Sequence, residues 1–138
     1  VFLVGRYETA CGGCDAIHTQ QEAADRAVRF HNEGGHAIME GLLASAAGPK
    51  GAVTKTISDT NAACFAILDT PLDVCLERVR QRRLARGDER PLNPKNTEDK
   101  WKQTRQTAKA MYELGYDVRS IDHTRAYDDV MEILRNAE

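Results

Sequence analysis

The chain has 138 residues, of which 41% are hydrophobic and 29% are charged, and its formal net charge is −2. This length and composition are typical of one globular domain with a small hydrophobic core. The charge gives no overall attraction to nucleic acid or to a membrane, so contact with nucleic acid would require a local basic patch. The four cysteines argue against a secreted disulfide framework because the chain has few loops. No apolar run is long enough to cross a membrane and no signal peptide is visible, so we expect a cytoplasmic protein without membrane contact.

A strand at the start of the chain is followed by a polar loop rich in glycine and cysteine. Residues 1–4 form a short apolar run, and Gly5-Arg6-Tyr7 turns away from its end. The loop that follows contains the run Cys11-Gly12-Gly13-Cys14-Asp15. Two adjacent glycines allow the backbone to approach a ligand closely or to adopt a positive φ.

The next segment predicts a helix and a second strand. Apolar side chains recur at helical spacing over residues 20–32, and Gly34-Gly35 ends this helix. Its predicted buried face consists of Ala23, Ala24, Ala27, Val28 and His31. A strand is predicted over 36–39 and ends at Glu40-Gly41. The pattern is less regular between 42 and 58, and residues 53–58 fit either a strand or the start of a helix.

The stretch from Ala63 to Pro91 predicts a buried strand followed by a basic helix. The apolar run at 63–68 is typical of a strand that is buried on both faces of a parallel sheet. Thr70 is predicted as the N-cap of the helix, with Pro71 at its first position and Asp73 completing a capping box. The predicted buried stripe of this helix consists of Leu72, Cys75, Leu76 and Val79. Gly87 is predicted to end the helix.

Arginines cover the other face of this helix. Arg78, Arg82 and Arg86 recur every four residues, with Arg80, Arg83 and Arg90 nearby. A solvated basic face is the simpler explanation of such a charge run. Because the run follows the carboxyl end of a predicted strand, where ligands bind in open α/β sheets, we favour an anion-binding clamp. Guanidinium groups bind phosphate oxygens bidentately and stay charged at any working pH.

The last third of the chain predicts two helices and a strand. The helices are predicted over 98–114 and 127–135, and the strand over 116–121. Strands that alternate with helices predict an α/β fold with a parallel sheet and right-handed crossovers. His123 and Thr124 follow the last strand, and Thr124 is also a possible cap of the final helix.

Three segments stand in a characteristic order along the chain: VGRYETACGGCD, IMEGLLAS and LDTPLDVCLERVRQRR. Together they resemble the P-loop nucleoside and nucleotide kinases, and more narrowly a phage-type group of small P-loop kinases, over residues 1–122. The resemblance implies a single three-layer α/β/α domain over 1–138, incomplete at its N-terminus, with an arginine-rich helical lid at about 72–92. It also implies ATP and Mg²⁺ as cofactors and a phage-encoded enzyme that acts in the host cytoplasm.

The resemblance implies roles for individual residues. Glu40 would bind Mg²⁺ or polarise a substrate hydroxyl, and Asp15 would accept the proton of the acceptor hydroxyl. Either carboxylate could instead cap a helix or fix a loop. The remaining assignments are charge neutralisation by Arg78, Arg82 and Arg86, acceptor binding by Arg6, Tyr7, Gly12, Gly13 and Arg83, and ATP binding by Arg82, His123 and Thr124.

One motif of the P-loop kinases does not occur in the chain. These enzymes carry G-x-x-x-x-G-K-[ST] between a first strand and helix, and residues 1–138 contain no such run. Lys55-Thr56 matches the end of the motif, but no glycine precedes Lys55. We therefore expect the phosphate loop to lie upstream of Val1 in a longer native protein, and we expect these residues to be inactive without it.

The cysteine motif supports a competing interpretation. Thioredoxin-like redox proteins place C-x-x-C between a strand and a helix, as Cys11 and Cys14 are placed here. However, no aromatic residue directly precedes Cys11, and no proline begins a later strand. A zinc site would need a second pair of ligands at finger spacing. Cys64 and Cys75 lie on predicted apolar faces and are interpreted as packing residues.

The favoured function is ATP-dependent phosphoryl transfer to a nucleotide, a nucleoside or a modified nucleic-acid base. The number of arginines favours an acceptor that carries its own negative charge, such as a monophosphate or a modified pyrimidine in phage DNA. Two alternatives stay open. One is a thiol-disulfide redox protein that uses Cys11 and Cys14, and the other is a non-catalytic nucleotide-binding module.

Overall fold

The computed structural model describes residues 1–7, 13–41, 48–58 and 63–137. Strands and helices alternate along this part of the chain, which confirms the predicted α/β class. The strands are β1 Phe2–Val4, β2 Ala37–Met39, β3 Cys64–Asp69 and β4 Asp117–Asp122. The helices are α1 Gln20–Asn32, α2 Ala52–Ser58, α3 Leu72–Ala85, α4 Pro94–Glu113 and α5 Ala126–Arg135, with short 3₁₀ helices at Cys14–Ala16 and Gly48–Lys50.

The described strands form two two-stranded sheets, one of β1 and β2 and the other of β3 and β4. β1 and β2 are parallel, and Val4 lies opposite Met39. All four predicted strands are therefore confirmed, whereas the three-layer P-loop arrangement stays a prediction. The prediction that β3 is buried on both faces is wrong, because Leu68 is 48% exposed and Asp69 is also exposed.

The chain divides into two compact units, residues 1–65 with 107–118 and residues 66–106 with 119–138. The first unit contains a hydrophobic cluster whose buried members come from β1, the 3₁₀ helix and α1: Val4, Cys14, Ala23 and Ala27. The alanines have small side chains, which allow α1 to pack closely on the sheet. Phe2 and Phe30 stack beside this cluster with their ring centroids 4.7 Å apart.

The predicted bounds of α1 are confirmed, and so are its three buried alanines. Thr19 caps the helix, because its hydroxyl accepts a hydrogen bond of 3.1 Å from the backbone N–H of Glu22. His31 is exposed, so its predicted place on the buried face is wrong. The segment 53–58, which the sequence left open between strand and helix, belongs to α2.

The start of α3 differs from the prediction. Pro71, and not Thr70, is the N-cap residue, and no side chain caps the helix. Thr70 is buried, and its carbonyl oxygen accepts a hydrogen bond of 2.9 Å from Trp101 Nε1. Thr70 therefore connects the start of α3 to α4 and does not cap the helix. The predicted apolar stripe of α3 is only half-buried, since no residue of the helix is buried.

The end of α3 confirms the prediction for Gly87. Gly87 has a φ of 70°, and its N–H donates to the carbonyl of Leu84 at 2.9 Å. The N–H of Asp88 donates to the carbonyl of Arg83 at 3.0 Å. These two bonds form a Schellman motif, which reverses the chain and brings Asp88 back beside the last turn of the helix.

Helix α4 begins earlier than predicted. The side chain of Asn93 accepts a hydrogen bond of 3.0 Å from the N–H of Lys95, and Pro94 occupies the first helical position. The Asn-Pro pair therefore starts a helix, since proline needs no hydrogen-bond partner at that position. None of the helices in the described residues combines the length and the apolar character that a membrane crossing requires.

Candidate active-site residues

The first group of predicted site residues lies at the end of the β1–β2 sheet. Because β1 and β2 are parallel and Val4 pairs with Met39, their carboxyl ends lie at the same edge. Arg6 and Tyr7 follow β1, and Glu40 follows β2. The structure therefore brings these three residues to one edge, while their roles stay predictions.

The start of the first 3₁₀ helix connects the ends of both strands. The N–H of Gly13 donates to the carbonyl of Arg6, and the N–H of Cys14 donates to the carbonyl of Glu40, each at 2.8 Å. The thiol of Cys14 is buried and donates to the carbonyl of Val4 at 3.6 Å. Gly13 is thus fixed between the two strand ends.

Gly13 also permits Glu40 to lie close to the backbone. The φ of Gly13 is 68°, which residues with a Cβ rarely adopt. A Cβ at this position would lie 2.8 Å from Cγ of Glu40 and 2.8 Å from its carbonyl oxygen. Only glycine fits here without displacing Glu40.

The surroundings of Tyr7 raise the pKa of its phenol. Burial raises the pKa of Tyr7, and the negative charge of Glu40 raises it further. Like any tyrosine near neutral pH, Tyr7 is protonated and is available as a neutral hydrogen-bond donor. The backbone of Asp15 belongs to the adjoining 3₁₀ helix, whereas the side chain of Asp15 and the predicted residues Cys11 and Gly12 lie outside the described part of the chain.

The second group consists of the arginines of the predicted lid. Arg78, Arg82 and Arg86 are exposed at successive turns of α3 and just after it. Arg82 Nε also contacts the carbonyl of Arg78 at 3.4 Å. Arg80 forms an ion pair with Glu77 on the same helix. The basic row is therefore accessible, and one of its neighbours is partly neutralised by a carboxylate.

Asp88 binds two further arginines. Its Oδ2 lies 3.1 Å from Nε of Arg83, and its Oδ1 lies 2.8 Å from Nε of Arg90. Nη2 of Arg90 also donates to Oδ2 at 2.8 Å. The hydrogen bonds from Arg90, and then those from Arg83, hold the pKa of Asp88 far below its usual range. Asp88 is therefore a carboxylate at any working pH.

Trp101 and Arg105, which the sequence analysis did not select, hold the segment that precedes the lid. Both donate to the carbonyl of Thr70, from Trp101 Nε1 at 2.9 Å and from Arg105 Nη2 at 3.2 Å. Arg105 Nη2 also lies 3.0 Å from Oδ1 of Asp69. The sequence offered one signal for this pair: Arg105 lies four residues after the single tryptophan on a predicted helix, a spacing at which two side chains can contact each other.

His123 and Thr124 form hydrogen bonds within the protein. Nδ1 of His123 lies 3.1 Å from the carbonyl oxygen of Asp69. The N–H and hydroxyl of Thr124 donate to Oδ1 of Asp122 at 2.8 and 2.7 Å, and the N–H bond is the main cause of the lowered pKa of Asp122. Arg125, and not Thr124, is the N-cap residue of α5, so the alternative that Thr124 caps this helix is wrong. ATP binding by His123 and Thr124 stays a prediction.

The described residues were also considered as ligands of a metal ion and as sites of thiol chemistry. No group of three or more His, Cys, Asp or Glu side chains in these residues is arranged to hold a metal ion. Cys14, Cys64 and Cys75 form no disulfide bond with one another. A metal ion at Glu40 would therefore need oxygen ligands from elsewhere, and phosphate groups commonly provide them to Mg²⁺.

A comparison with known proteins defines the class. The chain is 38% identical over 133 residues to a protein named 5-hmdU DNA kinase from Pseudomonas phage PaMx11, and the alignment covers 96% of this chain and 69% of that protein. No protein-family model and no solved structure matches the chain. The relative is a phosphotransferase, so the prediction of phosphoryl transfer is confirmed. The chain belongs to the family of the phage 5-hmdU DNA kinases.

Proposed function

We propose that this chain transfers the γ-phosphoryl group of ATP to the hydroxymethyl group of 5-hydroxymethyl-deoxyuridine in DNA. The observation that carries the proposal is the identity of 38% to a 5-hmdU DNA kinase across 96% of this chain. An acceptor within DNA also carries phosphates, which the exposed arginines of the lid would bind. The three-layer P-loop-kinase fold over residues 1–138 belongs to the same proposal.

In the proposed reaction, the hydroxymethyl oxygen attacks the γ-phosphorus of ATP. The bond from the γ-phosphorus to the oxygen that bridges the β-phosphate breaks, and ADP leaves with the bonding electron pair. The hydroxyl proton passes to the carboxylate of Asp15. Catalysis of this kind depends mainly on positioning and on stabilising the charge of the transferred group.

Residues at the β1–β2 edge bind the acceptor in this proposal. Tyr7 offers an aromatic ring for stacking and a neutral hydroxyl that donates a hydrogen bond. Arg6 is exposed and binds a phosphate of the DNA backbone. Gly12 and Gly13 are the proposed loop contribution to acceptor binding, and Gly13 contributes by allowing Glu40 to lie close to the loop backbone.

Glu40 is the proposed Mg²⁺ ligand. Glu40 is exposed, and its backbone carbonyl accepts a hydrogen bond of 2.8 Å from the N–H of Cys14, which fixes the backbone. An accessible carboxylate on a fixed backbone suits a cation that prefers oxygen ligands. Bound Mg²⁺ supplies charge neutralisation for the ATP phosphates. Glu40 itself would hold the ion through its carboxylate.

The arginines of the lid stabilise the negative charge of the phosphates. Arg78, Arg82 and Arg86 present guanidinium groups to solvent at about one helical turn from each other. Each supplies hydrogen-bond donors with a permanent positive charge, which stabilises the charge that spreads over the transferred oxygens. Arg83 is proposed for the acceptor phosphate, and Arg82, His123 and Thr124 for ATP.

The proposal is tested with acceptors that differ in one group. The complete protein is incubated with γ-labelled ATP and either an oligonucleotide that contains one 5-hydroxymethyluracil, the same oligonucleotide with thymine, or free 5-hydroxymethyl-deoxyuridine monophosphate. We expect label only in the first oligonucleotide, with binding that weakens steeply as salt increases. Equal labelling of the thymine oligonucleotide, or a preference for the free nucleotide, would contradict the proposal.

A further inference from the structure

A single carboxylate organises the segment that follows α3. Asp88 accepts hydrogen bonds from the Nε atoms of Arg83 and Arg90 and from the backbone N–H of Arg90, the last at 3.2 Å. The side chain of Asp88 lies next to these two arginines and is only 23% exposed. The Schellman motif at Gly87 creates this arrangement, because it returns the chain toward the last turn of α3.

The two guanidinium groups have more donors than their bonds to the described residues use. Among those bonds, Arg83 uses Nε for Asp88 and one hydrogen of Nη1 for the carbonyl of Pro91 at 3.3 Å, two of its five N–H donors. Arg90 uses Nε and one hydrogen of Nη2 for Asp88, also two of five. Arg90 is thus held along the edge formed by Nε and Nη2, and Arg83 is held at Nε and at Nη1, so the orientation of each guanidinium is fixed while further N–H groups can donate to a second anion.

We infer that Asp88 is a positioning residue that holds Arg83 and Arg90 in the orientation in which they bind phosphate. The inference rests on the proposed function, since it identifies which lid arginines are preorganised for a phosphate group of ATP or DNA. A guanidinium that is already oriented loses less conformational freedom when the phosphate binds. The negative charge of Asp88 also reduces the repulsion between its two arginines.

Two explanations of Asp88 predict opposite results for the same substitution. If Asp88 only neutralises the lid, Asp88→Asn makes the lid more positive and phosphate binds more tightly. If Asp88 positions the arginines, the same substitution weakens phosphate binding although the lid is more positive. Glu89 is exposed and directly adjacent, so Glu89→Gln changes the charge equally and serves as the matched control.

The experiment compares the complete protein with its Asp88→Asn and Glu89→Gln variants. Equilibrium binding is measured separately with ATP and with the 5-hydroxymethyluracil oligonucleotide, and kcat and KM are measured for both substrates. We expect Asp88→Asn to weaken binding of at least one phosphate-bearing ligand and to lower kcat about tenfold. Glu89→Gln should keep kcat within about twofold and bind the oligonucleotide equally or more tightly.

A second comparison separates positioning from a purely structural role. In the background Arg83→Gln/Arg90→Gln, Asp88→Asn should lower kcat by less than about twofold, because its partners are already absent. A loss as large as in the parent would overturn the inference, as would equal binding of both ligands by Asp88→Asn and Glu89→Gln. A parent that binds these ligands but transfers no phosphoryl group would contradict the proposed function, while the binding comparison still decides the role of Asp88.

Discussion

The guanidinium carbon of Arg105 lies 3.7 Å from the centroid of the Trp101 ring, and both side chains donate to the carbonyl oxygen of Thr70. The segment between β3 and the lid helix is therefore fixed by two residues of α4. A cation–π contact and two hydrogen bonds to a part-buried carbonyl stabilise this point of the chain. The start of the lid is consequently well defined, even though the lid helix itself has no buried residue.

The substitution Trp101→Phe tests this anchor. It removes the Nε1 donor and leaves the carbonyl of Thr70 with one partner fewer, so the free energy of unfolding should fall by about 1–2 kcal/mol. Tyr112→Phe is the control on the same helix, because Tyr112 is 70% exposed and should change the free energy by less than ~0.5 kcal/mol. Denaturant unfolding provides both values, and equal stabilities of the two variants would show that the anchor contributes nothing.

Gly13→Ala tests the close approach of Glu40. The new Cβ would meet Glu40 at 2.8 Å, and the residue would keep a φ of 68°. Gly34→Ala is the matched control, since Gly34 has a φ of 85° and nothing within 4 Å of an added Cβ. Both variants should lose about 1–2 kcal/mol of stability through backbone strain, and the clash with Glu40 should add to the loss in Gly13→Ala. Only Gly13→Ala should also lower kcat, and equal kcat values for the two variants would count against a role for this contact.

Arginine substitutions on the lid helix test the proposed phosphate clamp. Arg82→Ala or Arg86→Ala should lower kcat by ~10²–10³, because each removes a donor to the phosphates. Arg80→Ala on the same helix should have a much smaller effect, since Arg80 is paired with Glu77. Steady-state kinetics with the DNA acceptor measures all three variants. If Arg82→Ala and Arg86→Ala both keep at least half of the parent activity, the clamp proposal fails.

Glu40→Gln tests the Mg²⁺ assignment. The substitution keeps the shape of the side chain and removes its charge, so folding should be unchanged while turnover falls and the Mg²⁺ concentration for half-maximal rate rises. Glu33→Gln provides a control at the exposed end of α1. Thermal unfolding and a Mg²⁺ titration of the rate make the comparison. An unchanged Mg²⁺ dependence would remove Glu40 from the metal site.

The pH dependence of the Asp88 cluster has a defined sign. The folded-state pKa of Asp88 lies below its unfolded value, so its contribution to stability is present above the unfolded pKa, which is ~3.9. The contribution is lost as the pH falls through the lowered folded pKa. Arg90 is the main cause, so Arg90→Gln should move the titration midpoint of the Asp88 carboxyl carbon upward in an NMR titration. An unchanged midpoint would show that Arg90 does not set this pKa.

The sequence predicted the order of strands and helices because hydrophobic period and glycine positions are local signals. The bounds of α1 and the end of α3 at Gly87 follow from such signals. The cap at Thr70 was predicted wrongly because Trp101, 31 residues later, engages the Thr70 backbone. A local capping pattern contains no information about that contact.

The distribution of lid charge was also only partly predictable. The sequence shows arginines at four-residue spacing, and these are exposed as a helical face predicts. The pairing of Arg83 with Asp88 depends on the reversal at Gly87, which places residues five apart in contact. The usual helical rule for residues three or four apart does not cover this geometry. The arginine surplus inferred from the sequence is therefore reduced by carboxylates of the lid itself.

The central claim is that the phosphoryl group is transferred to the hydroxymethyl group of a base in DNA. The most direct measurement uses an oligonucleotide whose 5′ end is blocked and which contains one 5-hydroxymethyluracil, incubated with ATP and the complete protein. The product is digested with nuclease to nucleoside monophosphates, without phosphatase, and analysed by mass spectrometry. We expect the modified nucleotide to gain the mass of one phosphoryl group while the four ordinary nucleotides are unchanged. An unmodified hydroxymethyl nucleotide, under conditions in which ATP and the oligonucleotide are bound, would contradict the account.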